Sequence, residues 1–372
     1  MLAVLCVLGI LCGCSPRPTP TNPSAQEQQS QGLMKGIWVS YLELDAAFAD
    51  ADAKQAAAYI DSVMETCRKD GFNTVFWHVR AMGDAYYASE SFPPATSVKT
   101  LLQSGFDPLD YAVKAAHTRG VSLHAWINPY RVGTDRERAV CEDVYKWEDT
   151  YYYIPTSQRA QTCILNGVRE VVRGYAVDGV QFDDYFYPAG LPKTAMSFEQ
   201  PPASLSVMQW RQAAVSGLVA AAKTAVKARK GCVFGISPAG DAARSEKLLY
   251  ADVKRWLKYG YVDYMCPQIY SGFSHEKLPF EKTADAWMVL PRADGVRLYV
   301  GLALYKTGER DIYAGDGAEE WEKGGDIVAR QAECVIEKGY DGFAVFRYAH
   351  WTQTGSAVRE AEKRELQGIL TK

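Results

Sequence analysis

The sequence lacks the patterns that would define several classes of protein. It carries 41 Lys and Arg against 44 Asp and Glu, a net charge of −3, so no basic face is implied and we expect no nucleic-acid partner. It contains neither a Cys-x-x-Cys pair nor a His-x-x-x-His pair, so we expect no metal and no other cofactor. It also has no Gly-x-Ser-x-Gly motif, which argues against a serine nucleophile on an elbow turn.

The composition and the order of apolar segments point to one large domain. Hydrophobic residues make up 48% of the chain and charged residues 23%, as in soluble globular proteins that bury a substantial core. Strand-like runs rich in Val, Ile, Phe and Tyr are bounded by Gly, Asp or Pro. These eight predicted strands are Gly36–Tyr41, Thr74–Arg80, Ser122–Asn128, Gly179–Asp184, Cys232–Pro238, Asp263–Ile269, Leu298–Leu304 and Gly342–Arg347.

Segments with helical periodicity lie between these strands and stop at glycines. They are Ala53–Lys69, Leu109–Thr118, Ser206–Arg229 and Ile327–Lys338. Because strands and helices alternate, we expect a parallel sheet, and eight such units predict a single (β/α)₈ TIM barrel over residues 32–372, with long loops at its C-terminal face. An open doubly wound sheet is the alternative, but no Gly-x-Gly-x-x-Gly turn follows the first strand.

The first 31 residues predict export and tethering. Met1–Gly13 is almost wholly apolar, which suits a signal-peptide core but is too short for a membrane-spanning helix. Leu11-Cys12-Gly13-Cys14 resembles the lipobox of bacterial lipoproteins, in which the last cysteine carries lipid. We therefore predict a signal peptide over residues 1–14, a lipid anchor on Cys14 and a disordered Pro- and Gln-rich tether over residues 15–31. The protein would then be an exported lipoprotein, anchored to a membrane at the cell envelope.

Polar and aromatic side chains gather where the predicted strands end. In a barrel of this type those ends form the face that carries the active site. We predict that substrate is bound there by His78, Arg80, Asn128, Tyr130, Arg131, Tyr185, Gln268, Tyr270 and Arg347. Pro129 forces an extended exit from the third strand, so the residues around it are expected to project into the mouth of the barrel.

Two adjacent carboxylates, Asp183 and Asp184, end the fourth strand. Because successive side chains of a strand point to opposite sides, Gln181 and Asp183 share one face, while Asp184 turns into the loop. Neighbouring carboxylates repel, so the pKa of one rises and that group can act as a general acid beside an ionised partner. Glycosidic cleavage uses this division of labour, although such a pair can also cap a helix or bind a cation.

Five segments in the same order resemble the glycosyl-hydrolase-like family ten, a bacterial family of (β/α)₈ barrels that are often exported lipoproteins. They are Gly36–Ser40, Leu123–Arg131, Gly179–Phe186, Ile236–Pro238 and Pro267–Tyr270. The resemblance implies a glycoside hydrolase that acts on exported or cell-wall glycans, including peptidoglycan glycan strands in some members. It also implies that the Asp pair of the fourth strand is the catalytic centre.

The identity of a second catalytic carboxylate is open. Retaining barrel hydrolases place a nucleophilic Glu late in the barrel, and no Glu ends the seventh or eighth strand here. Glu43, after the first strand, is our candidate, and a charge at the start of a helix is the other interpretation of this residue. In an alternative mechanism the acetamido group of the substrate is the nucleophile, one Asp orients it and the other protonates the leaving group.

Other function classes and partners remain as hypotheses. A non-catalytic glycan-binding barrel lipoprotein and a metal-dependent polysaccharide deacetylase are the two alternatives to a glycosidase. The expected partners are a polysaccharide, such as peptidoglycan glycan strands, and a membrane through the lipid anchor, and we expect a monomer. Cys141 and Cys163 flank one long loop and are candidates for a disulfide outside the cytoplasm.

Overall fold

Within residues 32–372, which are those that the computed structural model describes, parallel strands close into a barrel. The strands are β1 Met34–Val39, β2 Thr74–Arg80, β3 Ser122–Ile127, β4 Gly179–Phe182, β5 Val233–Ile236, β6 Tyr264–Met265, β7 Arg297–Leu302 and β8 Gly342–Val345. Each strand pairs with the next along the chain, and β8 pairs with β1. The predicted (β/α)₈ barrel is therefore confirmed.

Helices surround the barrel and connect its strands. In the described residues the α-helices, numbered α1 to α13 in chain order, are Tyr41–Phe48, Ala53–Asp70, Lys99–Gln103, Pro108–Thr118, Gln158–Gly174, Val207–Lys227, Ala242–Leu248, Val253–Lys258, Phe280–Met288, Glu320–Lys323, Ile327–Glu337, Tyr348–Thr352 and Ala357–Leu370. Short 3₁₀ helices cover Thr96–Val98, Arg136–Arg138, Leu304–Lys306 and Gly315–Gly317. A small antiparallel rim sheet between β3 and α5 consists of Arg131–Gly133, Val144–Trp147 and Thr150–Tyr153.

The predicted lipobox, the anchor on Cys14 and the tether lie outside the described residues. Of the helices in residues 32–372, none combines the length and the apolarity that a membrane span requires. Cys141 and Cys163 are free thiols in this structure. Burial, together with the adjacent Cys163 thiol, raises the pKa of the Cys141 thiol to about 11. A disulfide between these two neighbouring residues stays a prediction.

Local capping signals explain where helices begin and end. The Asp52 side chain accepts a hydrogen bond from the Gln55 N–H (2.8 Å) at the start of α2, and Gly71 ends that helix in the left-handed region at φ 92°. The first strand was predicted to reach Tyr41, but β1 ends at Val39. Ser40 caps α1 instead, since its Oγ accepts a hydrogen bond from the Leu42 N–H at 3.3 Å.

Aromatic rings fill the interior of the barrel below its mouth. Trp38 stacks on Phe76 with ring centroids 5.1 Å apart, and the Trp38 indole N–H donates a hydrogen bond to Gln181 Oε1 at 2.7 Å. Tyr264 approaches β5 so closely that a Cβ at Gly235 would lie 2.0 Å from its ring. This interior packing gives the barrel mouth a solid floor instead of an open channel.

One buried carboxyl outside the mouth makes stability depend on pH. Glu362 of α13 is fully buried and accepts a hydrogen bond from the Ala329 N–H (2.9 Å) in the first turn of α11. Burial raises the pKa of Glu362 to about 7. The unfolded chain has the lower, ordinary pKa, so ionised Glu362 costs folding free energy above pH 7, and the cost fades as the pH falls towards the unfolded value.

We therefore expect Glu362→Gln to raise the free energy of unfolding at pH 8 by roughly 2–3 kcal/mol. Its amide oxygen can still accept the hydrogen bond from Ala329, and it carries no charge. The gain should shrink progressively between pH 7 and pH 5 in urea titrations. Glu365→Gln, an exposed position on the same helix, is the control. A variant less stable than the parent at pH 8 would contradict this assignment.

Candidate active site

The carboxyl ends of the barrel strands surround a cavity of about 390 Å³, the mouth cavity. Of the predicted site residues, those that line it are His78, Asn128, Arg131, Asp183, Asp184, Tyr185, Gln268 and Tyr270. The wall is completed by Trp38, Ser40, Tyr41, Leu42, Trp126, Ser237, Tyr305 and Phe346. These polar residues were predicted from their positions at the carboxyl ends of the strands. The aromatic floor was not predicted, because apolar alternation does not tell a packed Trp from one that faces a cavity.

Asp183 and Asp184 both line the mouth cavity but differ in their surroundings. Asp183 is buried, and its Oδ2 accepts a hydrogen bond from the Trp126 indole N–H at 3.2 Å. Its Oδ1 accepts the Tyr185 N–H at 3.1 Å. Asp184 is only half-buried and lines two adjoining cavities. As alternation along β4 predicts, the Gln181 and Asp183 side chains point into the barrel.

Both carboxyls hold protons more tightly than ordinary aspartates. Burial raises the pKa of Asp183 well above its usual range, and the charge of Asp184 raises it further. Burial also raises the pKa of Asp184, to about 6. Because the charge of Asp184 raises the pKa of Asp183, the two groups titrate as a pair. Carboxyls whose pKa values are separated in this way can divide the roles of acid and base between them.

A stack of rings holds Trp126 against Asp183. His78 lies parallel to the Trp126 ring, with centroids 3.6 Å apart and an interplanar angle of 14°. His78 Nδ1 accepts the Tyr41 N–H at 3.3 Å, which leaves Nε2 to donate to Asn128 Oδ1 at 3.2 Å. Burial lowers the pKa of His78 well below its ordinary value, so the ring is neutral. Its role in this geometry is to position Trp126 and to form part of the wall.

A second cavity, of about 270 Å³, adjoins the mouth cavity and is called here the side cavity. The two cavities share Asp184, Gln268 and Tyr270. The side cavity is otherwise lined by residues that follow β5, β6 and β7, among them Arg244 and Tyr313. Asp184 therefore stands at the boundary between two compartments, where a chain of sugars could pass from one to the other.

Two predicted substrate-binding residues, Arg80 and Tyr130, do not reach either cavity. The pairing of β2 with β3 shifts register between His78 and Arg80, so the two side chains do not share a face as simple alternation would require. Arg80 is buried and donates a hydrogen bond to the Pro129 carbonyl at 3.0 Å. Tyr130 is fully buried in the core, because the rim sheet begins at Arg131 and turns the preceding side chain inward. Both predictions are corrected by the structure.

Glu43 and Arg347 are also placed differently from the prediction. They form an ion pair with each other, with side chains 7% and 16% exposed, and neither lines the mouth cavity. Arg347 also donates to Ser40 Oγ at 2.9 Å, and Glu43 Oε1 accepts the Ala349 N–H at 3.1 Å. Glu43 belongs to the capping box of α1. The capping box agrees with the helix-start interpretation, and the structure places Glu43 outside the lining of the mouth cavity.

A closed (β/α)₈ barrel with a carboxylate pair at the carboxyl ends of its strands is an arrangement typical of glycoside hydrolases. The family model of the glycosyl hydrolase-like 10 proteins matches residues 33–315. The chain belongs to this family, which confirms the resemblance drawn from the five segments, and its function is of the glycoside hydrolase type.

Curated relatives carry the same designation. Glycosyl hydrolase DigH of Escherichia coli (strain K12) is 33% identical, over 97% of this chain and 96% of that protein. Glycosyl hydrolase YngK of Bacillus subtilis (strain 168) is 32% identical, over 76% of this chain and 63% of that protein.

Solved structures share the fold at low sequence identity. The glycoside hydrolase domain of PgaB (BpsB) from Bordetella bronchiseptica has a TM-score of 0.59 at 12% identity, covering 91% of this chain and 98% of that one. The catalytic domain of a beta-amylase from Paenibacillus polymyxa has a TM-score of 0.56 at 12% identity, with the same coverage of 91% and 98%. At this identity the likeness establishes the barrel fold alone.

The Glu43–Arg347 pair is expected to serve stability. Removing one partner leaves the other charge nearly buried and unpaired, so we expect Glu43→Ala to lower the free energy of unfolding by about 3–5 kcal/mol. The double variant Glu43→Ala/Arg347→Ala carries no lone charge, and its loss should be smaller than the sum of the two single losses. Urea unfolding of the four proteins measures this coupling. Strictly additive losses would show that the two residues act independently.

Proposed function

We propose that this protein is a glycoside hydrolase that cleaves O-glycosidic bonds in a cell-wall or other extracellular polysaccharide, with peptidoglycan glycan strands as the first substrate to test. The observation that carries the proposal is the position of Asp183 and Asp184 in the wall of the mouth cavity, with Asp184 also lining the adjoining side cavity. We infer that the two carboxyls share one proton near neutral pH, because the charge of Asp184 raises the pKa of Asp183. Membership of the glycosyl hydrolase-like 10 family supports the reaction class. The substrate rests on the resemblance and on the expected export of the chain.

The small number of carboxylates in the cavity walls favours a mechanism in which the acetamido group of the substrate is the nucleophile. Among residues 32–372, the acids that line the mouth cavity are Asp183 and Asp184 alone. In the side cavity Asp241 caps α7 by accepting the Ala243 N–H at 2.9 Å, and Asp311 pairs with Lys306 at 2.6 Å. A separate carboxylate nucleophile therefore has no candidate in these walls. An acetamido group on the substrate would fill that role, as in the known exceptions to the two-carboxylate scheme.

Asp184 is assigned the role of general acid and Asp183 that of the orienting base. Asp184 borders both cavities, so it lies where the bridging oxygen between two sugars would pass. Burial favours the proton on Asp183 in the empty site, whereas hydrogen bonds from Trp126 and Tyr185 favour its ionised form. The acetamido N–H of a bound sugar adds a third donor to Asp183, which moves the shared proton to Asp184.

The bond changes then follow in two steps. As the bond from the anomeric carbon to the bridging oxygen breaks, the Asp184 carboxyl donates its proton to that oxygen. The acetamido carbonyl oxygen bonds to the anomeric carbon, while Asp183 accepts the acetamido N–H. Water then attacks the same carbon, Asp184 takes its proton, and the acetamido group is restored. Trp126 and Tyr270 offer the rings and the phenol that hold the sugar.

We further propose that residues 1–31 hold the barrel at a membrane. Lipid on Cys14 would provide the anchor, and residues 15–31 would provide the tether. Seventeen residues of extended chain reach at most roughly 55–60 Å, so the barrel could search for glycan within that radius of the membrane.

Catalysis by the Asp pair is tested by the release of reducing ends from peptide-free peptidoglycan glycan strands. We expect the parent to release ends, and Asp183→Asn and Asp184→Asn to lose at least about a thousandfold in rate, because either change removes the shared proton or its acceptor. Far-ultraviolet circular dichroism checks that each variant is folded. Strands that are bound but never cleaved by the parent would favour a non-catalytic glycan-binding barrel. No binding and no cleavage would rule out this substrate.

The dependence of kcat/KM on pH should be bell-shaped, with an acid limb near pH 6. Below that pH the pair is doubly protonated and Asp183 cannot accept the acetamido N–H, and at high pH the acid is lost. Trp126→Phe removes a donor that stabilises ionised Asp183. Its alkaline limb, which reports loss of the proton held on Asp183 in the free enzyme, should therefore move to higher pH by up to about one unit. An alkaline limb that stays in place or moves to lower pH would contradict this role of the indole.

A further inference from the structure

Two arginines stand on either side of the Asp pair without a carboxylate partner. Arg131 lines the mouth cavity, half-buried, and its Nε is buried without a hydrogen-bond partner. Arg244 of α7 lines the side cavity. Over residues 32–372, neither guanidinium group lies within ion-pair distance of an Asp or Glu. Each is therefore free to bind an anion that enters from outside.

Several other cations near the barrel have a carboxylate partner, unlike these two arginines. Arg211 is fully buried against Glu199, and Arg347 pairs with Glu43. In the side cavity itself, Lys306 is occupied by Asp311 at 2.6 Å. Arg244 is therefore the cation of that cavity that remains available to a ligand.

An exposed tyrosine accompanies each arginine. The Arg131 guanidinium lies 4.9 Å from the centroid of the Tyr185 ring, and Tyr185 is 42% exposed. Tyr313 lines the side cavity with Arg244 and is 80% exposed. An exposed ring offers an apolar face against which a sugar can pack, and a guanidinium offers a planar fork that binds a carboxylate through two hydrogen bonds. Each compartment thus holds the parts that recognise an acidic sugar.

We propose that Arg131 and Arg244 bind carboxylate groups of the glycan, one on each side of the cleaved bond, so that the enzyme selects strands whose sugars carry free carboxylates. This inference rests on the proposed function, since it names the chemistry of the strand that the Asp pair cleaves. It assigns specificity to residues that lie outside the carboxylate pair.

Peptide-free peptidoglycan strands, whose muramic acid carboxylates are free, provide the probe. Coupling these carboxylates to methylamine gives neutral amide strands with the same backbone. The parent should cleave the carboxylate strands with at least a tenfold higher kcat/KM than the amide strands. Arg131→Gln and Arg244→Gln should each lower kcat/KM more on the carboxylate strands than on the amide strands, so that the ratio between the two falls by up to about tenfold. Arg364→Gln, an exposed change on α13, should leave the preference unchanged.

The two arginines could also act by changing the pKa values of the Asp pair, and this role predicts a different experimental result. Their charges also lower the pKa values of the Asp pair. If tuning of the pair were their only role, Arg131→Gln and Arg244→Gln would slow cleavage of both strand preparations equally and would shift the acid limb of the pH profile. An equal loss on both preparations would overturn carboxylate recognition while leaving the glycosidase proposal intact.

If the parent cleaves neither strand preparation, binding measurements distinguish the carboxylate-recognition proposal from the glycosidase proposal. In the Asp183→Asn protein, affinity for both strand preparations is measured by changes in intrinsic tryptophan fluorescence. Tighter binding of the carboxylate strands, weakened by added salt and abolished by Arg131→Gln with Arg244→Gln, supports carboxylate recognition even if the parent cleaves nothing. Equal binding of the two preparations, or no binding of either, overturns it.

Discussion

The pairing of β8 with β1 is the constraint on which the rest of the molecule depends. It closes the sheet, so that the carboxyl ends of all the barrel strands meet on one rim and residues far apart in sequence become neighbours. Glu43 and Arg347 face each other across this seam and fasten the first strand to the last. The direct pairing of β3 with β4 places Trp126 of β3 against Asp183, which immediately follows β4. Without closure of the sheet, the strand ends would have no common centre.

Closure also creates the low-polarity surroundings in which the Asp pair operates. Rings such as Trp38 and Phe76 fill the barrel below the mouth, so water reaches the carboxyls from one side only. Burying two adjacent carboxyls opposes folding, since each must lose water of hydration. The Trp126 indole offsets part of that cost, and the remainder appears as raised pKa values. The property that makes the pair unfavourable for stability is the one that leaves a proton available near neutral pH.

The sequence predicts features that depend on neighbouring residues of one segment. It does not predict features that depend on how two segments pack against each other. The strands, and the inward direction of Asp183, follow from apolar alternation and from the glycines that end helices, and all these signals lie within a few residues. Arg80 was misplaced because its direction depends on a register shift between β2 and β3, which belongs to two strands at once. Glu43 was misplaced because the strand was predicted to continue to Tyr41. Instead Ser40 caps α1, and Glu43 completes the capping box of that helix. The indole contact to Asp183 depends on the register of β3 against β4, which neither strand specifies by itself.

The residues proposed for bond cleavage and those proposed for glycan recognition lie on different kinds of structural element. Asp183 and Asp184 directly follow β4, whose pairing with both neighbouring strands fixes the backbone up to Phe182. Arg131 begins the rim sheet, Arg244 lies on a short helix and Tyr313 lies in the connection after β7, all in segments that tolerate change without disturbing the barrel. A barrel built this way can keep one cleavage reaction while altering which glycan it accepts. Asp184 links the cleavage reaction to glycan selection, because it borders both cavities. In the proposed complex, the sugars on the two sides of Asp184 are held by different connecting segments.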